Sequence, residues 1–318
     1  MKDMLDIIVN IFPYAIAFTV PLLITALGGL YSERSGVVNI GLEGLMVVGF
    51  FAGAVTIKAL EVAIPNFSIV IGLVVGTVAG VIFSLLHAFA SINLRADQVI
   101  SGTAINMLAG ALTVFLARTI TGSGNIGIRL GIVRWDVPLL SKIPVIGPLF
   151  FSNTYYTTWI VLIIWGLSWF LLYKTSFGLR LRACGEHPHA AASAGVNVIR
   201  MRYIGVMFSG GLAGLGGAVM IATYAGEFNG TVAGLGFLAL AALIFGQWKP
   251  LGILGAAFFF GFARTIANAS QVIPQFESFP PLVLKIFPYV VTLIALVLFS
   301  KSSKAPKASG QPFDLSGK

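Results

Sequence analysis

Long apolar runs separated by short polar clusters dominate this chain. They cover approximately residues 7–30, 41–60, 67–91, 99–120, 157–173, 201–223, 231–247, 250–270 and 284–300. A helix crosses the ~30 Å hydrocarbon core of a bilayer with about 20 such residues, within a range of about 17–25. The pattern therefore predicts an all-α, polytopic transmembrane helix bundle of about nine spans (eight to ten). Pro13, Pro21 and the glycine-rich stretch 226–236 mark places where a broken or re-entrant helix can hide. The bundle is expected over residues 1–300, with a loop at 174–202 between two spans. The polar, Ser/Pro/Gly/Lys-rich residues 301–318 are expected to form a disordered tail.

Composition supports that class. Of 318 residues, 57% are hydrophobic and only 10% charged, against about 25% charged in soluble domains. The first run lacks a small-residue cleavage site and is read as a retained helix. With nine spans, the face holding 174–200 collects twelve basic residues, among them Arg34, Arg95, Arg180, Arg200 and Lys249, against seven on the other face. The positive-inside rule then puts the N-terminus outside and the C-terminus in the cytoplasm of a plasma (inner) membrane protein. The net charge of +9 follows from topology and calls for no nucleic acid. Lys301, Lys304 and Lys307 are positioned to touch anionic membrane lipid. The lone Cys184 leaves no intrachain disulfide. The 121–156 stretch, punctuated by Gly and Pro, is the largest expected outer loop and is read as folded over the helices.

The most informative polar stretch is Lys174 to Arg202, KTSFGLRLRACGEHPHAAASAGVNVIRMR. Pro188 suits the first position of a short helix. The alanines continue it, Gly195 suits the left-handed residue that ends it, and Asn197 can cap the next span. About seven helical residues make a peg ~10 Å long, whose small side chains fit closely into a groove. A capped connector is the alternative reading.

That stretch, together with ERSGVVNIGLEGLMVVG from Glu33 and ADQVISGTAIN from Ala96, resembles ATP-binding-cassette (ABC) importer permeases of the branched-chain amino acid, ribose and nucleoside group, nucleoside (guanosine-like) branch. The resemblance covers roughly residues 15–300, with three separated motifs in the expected order. It implies a permease subunit that imports nucleosides by alternating access. The implied partners are a cytoplasmic ABC ATPase, a second permease subunit forming a heterodimer, and an extracytoplasmic substrate-binding protein. It also implies that the peg seats in the ATPase, through Arg182, Glu186, Pro188, His189, Ala190, Ala191 and Gly195. Arg180 and Arg182 have the alternative role of holding the loop near lipid phosphates. The same machine carrying a simple sugar such as ribose, and a gradient-driven secondary transporter, are the alternative functions.

No G-x-x-x-x-G-K-[ST] phosphate loop occurs, so ATP and Mg belong on the partner ATPase and no cofactor is expected on this chain. No His/Cys/Asp/Glu cluster with metal-ligand spacing occurs, the three histidines being His87, His187 and His189, and no catalytic nucleophile pattern is present. Polar residues within or beside spans are the functional candidates: Asn39, Glu43, Gln98, Ser101, Asn106, Glu227, Asn229, Gln247, Trp248 and Asn268. Amides suit the edges of a nucleobase and aromatic rings its faces. For each residue a helix–helix hydrogen bond is the alternative, and Glu43 has the further option of pairing with Arg34.

Glycines at four-residue spacing (Gly72, Gly76, Gly80; Gly49, Gly53; Gly210, Gly214) predict helix faces that pack backbone to backbone. Asn39-Ile-Gly-Leu-Glu-Gly-Leu and Val232-Ala-Gly-Leu-Gly-Phe-Leu resemble one another at opposite starting faces, as an inverted repeat requires.

Overall fold

The computed structural model describes residues 2–269, 286, 290, 294 and 304–314. The expected span at 284–300 lies outside the described residues, apart from three helical positions within it. The helices are α1 (Lys2–Arg34), α2 (Leu42–Leu60), α3 (Pro65–Ala88), α4 (Gln98–Thr121), α5 (Tyr156–Lys174), α6 (Ser176–Glu186), α7 (Pro188–Ser193), α8 (Val198–Met220), α9 (Leu235–Phe245) and α10 (Pro250–Ala269). Both α3 and α8 end in a π-helical turn, at Phe89–Asn93 and Ile221–Ala225.

Among the described residues, seven helices are long and apolar enough to cross a membrane: α1 from Ile11, α2, α3, α4, α5, α8 and α10. The run at 231–247 differs from its expected span. Only Leu235–Phe245 is helical, 11 residues or ~16 Å, about half a hydrocarbon core. Left-handed residues bracket it, Ala233 (φ 54°) and Gly234 (78°) before, Gln247 and Trp248 (both 52°) after. Each non-glycine residue held there costs on the order of 1–3 kcal/mol, so surrounding contacts must hold the ends of α9. The glycine-rich approach at 226–234 holds the two-residue strand Glu227–Phe228 and turns rather than helix. Pro13 and Pro21 lie inside a helix that continues through them.

The centre of the bundle is α1, α2 and α8; α3, α4 and α5 leave most of their surface uncovered. Lipid does not drive helices together, so contact distance decides. A methyl at Gly49 would overlap the Gly214 backbone, and one at Gly76 the Gly49 carbonyl. Gly80 and Gly210 exclude each other's Cβ in the same way. The four-residue glycine ladders therefore form one seam inside the subunit, where α2, α3 and α8 meet backbone to backbone.

The two faces of the bundle are distinct. On one, Ile126–Gly127 pairs antiparallel with Glu227–Phe228, Arg134 stacks on Tyr14 at 4.1 Å and Phe150 meets Phe12 edge-on at 5.0 Å. The 121–155 loop is folded over the helices, as its sequence predicts. The opposite face gathers Arg34, Arg95, Arg202, α6 and α7. That face also carries residues 304–314, part of the segment expected as a tail. They lie on the bundle with Ala308 and Phe313 buried, because backbone groups of Gly36 and Gly185 and the Arg202 side chain give the segment partners.

Candidate translocation and coupling sites

Two helices begin inside the bundle rather than at its edge. Both α2 and α9 follow glycine N-caps, Gly41 and Gly234, which have no side chain to satisfy the first-turn N–H groups. A first turn that lacks a cap of its own takes its acceptors from another element. Asn106 supplies one for α2: its Oδ1 accepts from Gly44 N–H at 2.7 Å and its Nδ2 donates to the Ile40 carbonyl at 3.0 Å. Asn106 lies eight residues into α4, ~12 Å from the start of that helix. Glu43 does the same for α9, its two carboxylate oxygens accepting from Gly234 (2.9 Å) and Gly236 (2.7 Å) N–H. The positive end of the α9 dipole favours a carboxylate there. Arg264 of α10 donates to the Ala233 carbonyl at 3.3 Å, and its charge also acts on Glu43. Thus α4 caps α2 and α2 caps α9. A methyl at Gly236 would overlap Glu43 backbone atoms, so α9 sits against the first turn of α2. Phe237, half exposed, stands beside this junction.

A second set of polar side chains fixes the 35–41 loop that leads into α2. Gln98 Oε1 accepts Val38 N–H at 2.7 Å. His87 bridges Ser101 Oγ and the Val38 carbonyl, both at 3.0 Å. Asn39 donates to Ser209 Oγ at 2.9 Å and accepts from Gly41 N–H at 3.0 Å. Asn39 is fully buried with both ends of its amide committed.

The remaining candidates fall elsewhere. Glu227 and Asn229 lie exposed on the ribbon face. Asn268 is exposed near the end of α10. Gln247 and Trp248 sit at the basic face. Gln247 donates to the Ile244 carbonyl at 3.2 Å, and the Trp248 indole N–H donates to Glu33. The structure therefore joins only Glu43 and Asn106 of the ten into one mid-depth junction. His87, Arg264 and Phe237 stand at these two junctions without being among the ten candidates drawn from the sequence. The signal for Arg264 was available, as a cation embedded in an apolar run.

Glu43 does not meet Arg34. Arg34 donates to the Trp248 carbonyl at 2.8 Å and pairs with Glu186 at 3.6 Å. This ties the end of α1 to the end of α6, where Gly185 lies so close that a Cβ would overlap the Arg34 carbonyl. Helix α6, basic and amphipathic, was not anticipated; Arg182 on it stacks over Tyr173 at 4.9 Å. Its other end is capped by Thr175 Oγ1, which accepts from Gly178 N–H at 3.2 Å. The short helix α7 starts at Pro188, Gly195 follows it at φ 81°, and Asn197 Oδ1 caps α8 at 2.9 Å. On α7, Ala191 is buried, whereas His189, Ala190 and Ser193 are exposed, so one face of the peg is free. Burial pushes the Cys184 thiol up to about 11 against the opposing charge of Arg202.

Comparison with known proteins places this geometry. The guanosine ABC transporter permease protein NupQ of Bacillus subtilis (strain 168) is 46% identical, the alignment covering 98% of each chain. The nucleoside ABC transporter permease protein NupC of Lactococcus lactis subsp. cremoris (strain MG1363) is 42% identical over 92% of this chain and 93% of that one. A solved structure described as a metal-chelate-type ABC transporter in an inward-facing conformation shares the fold, with a TM-score of 0.50 at 16% identity, covering 91% of this chain and 85% of that one. Residues 11–296 match the family of permease components of the branched-chain amino acid transport system, and the chain belongs to that family.

Proposed function

We propose that this chain is the permease subunit of an ATP-driven importer of nucleosides, guanosine among them. The observation that carries the reading is the free-faced peg α7, held between two spans on the basic face, in a chain 46% identical to a guanosine permease over nearly its whole length. The basic face is cytoplasmic, the ribbon face is external, and the N-terminus is outside. The span count is nine if 284–300 crosses once and α9 counts as one. The matching starts of α2 and α9, each at a glycine N-cap and each capped from another helix, support an inverted repeat.

In this reading α7 seats in a groove of a cytoplasmic ATPase, which holds the ATP and Mg. His189, Ala190, Pro188 and Gly195 shape the peg; Glu186 and Arg182 fix its base. Substrate arrives from an external binding protein and passes at the interface with a second, non-identical permease subunit. Glu43, Asn106 and Phe237 line the pathway at mid-depth, where an aromatic face and polar edges suit a nucleoside.

The test is labelled guanosine uptake in cells with and without this gene, challenged by excess unlabelled adenosine, cytidine, ribose or leucine. Gene-dependent uptake that nucleosides block, and ribose and leucine do not, is the expected result. Uptake indifferent to the gene refutes the substrate assignment.

A further inference from the structure

Residues 304–314 run across the basic face and bond to elements that are far apart in sequence. Lys304 N–H donates to Gln247 Oε1 at the α9–α10 corner (3.2 Å). Ala308 N–H donates to the Gly185 carbonyl at the end of α6 (2.9 Å), and Gly310 N–H to the Gly36 carbonyl in the 35–41 loop (3.3 Å). The Gln311 carbonyl accepts from Arg202 Nη1 of α8 at 2.9 Å. Asp314 accepts from Arg95, in the α3–α4 connection, at 2.8 Å. Phe313 is buried, its ring 5.2 Å from that of His189 on α7 and 5.8 Å from the Arg202 guanidinium. Arg202, itself only 1% exposed, is thus covered by this segment, and a buried guanidinium needs such partners.

The arrangement has a mechanical meaning because α7 otherwise packs chiefly on its neighbours α6 and α8. The segment links it directly to the 35–41 loop, and that loop runs into Gly41 and Glu43. We propose that residues 304–314 are a transmission strap: they make the peg and the 35–41 loop move as one body, so that displacement of α7 reaches the Glu43–α9 junction. This rests on the reading of α7 as the ATPase contact.

The test uses the complete transporter in membrane vesicles, with Cys184→Ala and a reporter cysteine at the half-exposed junction position, Phe237→Cys. With the strap intact, a non-hydrolysable ATP analogue is expected to change the maleimide-labelling rate of the reporter at least fivefold. Phe313→Ala, which removes the anchor under α7 without adding charge, is expected to reduce that response to less than twofold, with ATP hydrolysis retained and nucleoside uptake down about tenfold. Arg95→Asp is expected to weaken the response and the swap Arg95→Asp/Asp314→Arg to restore it, a rescue that general misfolding does not give. An equal response with and without Phe313, in complexes that assemble normally, overturns the strap. A reporter silent to the analogue even with the strap intact overturns instead the reading of α7 as the coupling element. Absent guanosine uptake by the transporter that keeps Phe237, alongside a normal response of the reporter variant, overturns only the substrate.

Discussion

Removing the Glu43 carboxylate should weaken both the bundle and transport. The carboxylate accepts two N–H groups, Gly234 at 2.9 Å and Gly236 at 2.7 Å, at the start of a helix that has no cap of its own. Hydrogen bonds to a charged group contribute about 1.5–3 kcal/mol in water-soluble proteins, whereas interhelical hydrogen bonds in membranes average ~0.6 kcal/mol. A helix dipole adds up to ~2 kcal/mol in partly buried geometry. Glu43→Gln keeps one carbonyl acceptor but loses the other bond and the charge. Taking the membrane value for the bond and about 1.5 kcal/mol for the charge at the helix end gives ~2 kcal/mol. Glu43→Ala removes both acceptors and the charge together, and its cost should be at least double. Thermal unfolding in detergent, followed by retention on a sizing column, checks the order wild type, Gln, Ala. Labelled guanosine uptake should fall about 30-fold for Gln if the whole ~2 kcal/mol appears in the transport barrier. An alanine variant with the wild-type melting midpoint and uptake would show that the α9 end is held by something else.

Gly49→Ala should destabilise the α2–α8 contact by about 1–3 kcal/mol, since the added methyl meets Gly214 backbone that no rotamer change can move. Gly110→Ala, where nothing lies within 4 Å of the new carbon, is the matched control. Equal melting midpoints for the two variants would refute the seam. Cys184 should resist alkylation across the neutral range. With its thiol near 11 instead of the ordinary 9.0, the thiolate fraction at pH 8 is about 0.1% instead of about 10%, roughly a hundredfold slower. The rate should rise about tenfold per pH unit to pH 10; labelling that saturates above pH 9 would contradict a buried, raised thiol.

Much of this fold was legible because periodicity and length are local properties. The peg could be read at Pro188, Gly195 and Asn197, since each acts through its own backbone position. The glycine ladders were legible as faces, though their pairing of Gly76 with Gly49 and Gly214 needed three dimensions. The 231–247 run misled because hydropathy counts apolar residues and is blind to left-handed turns; Ala233, Gln247 and Trp248 carry no compositional mark for φ > 0. Polar candidates were found as residue types and not as roles. Asn39, Gln98 and Asn106 each meet a partner far away in sequence, and nothing local says which group an amide will meet. The 304–314 segment reads as tail by composition, and its partners, Gly36, Gly185 and Arg202, are scattered across the rest of the chain.

The half-length of α9 also bears on how the protein is made. A membrane-insertion machinery samples segments one at a time for length and apolarity, and ~16 Å of helix satisfies only half that requirement. The first-turn N–H groups of α9 find their acceptor in Glu43, a residue synthesised almost two hundred positions earlier. Helix α9 therefore has no settled place until α2 is already in the bilayer and α10 arrives to bring Arg264 beside it. Assembly of the mid-depth junction is a late event in biogenesis, and a lesion that strips the α9 start of both acceptors, as Glu43→Ala does, should appear first as retained, protease-sensitive chains, whereas Glu43→Gln, which keeps one acceptor, still matures.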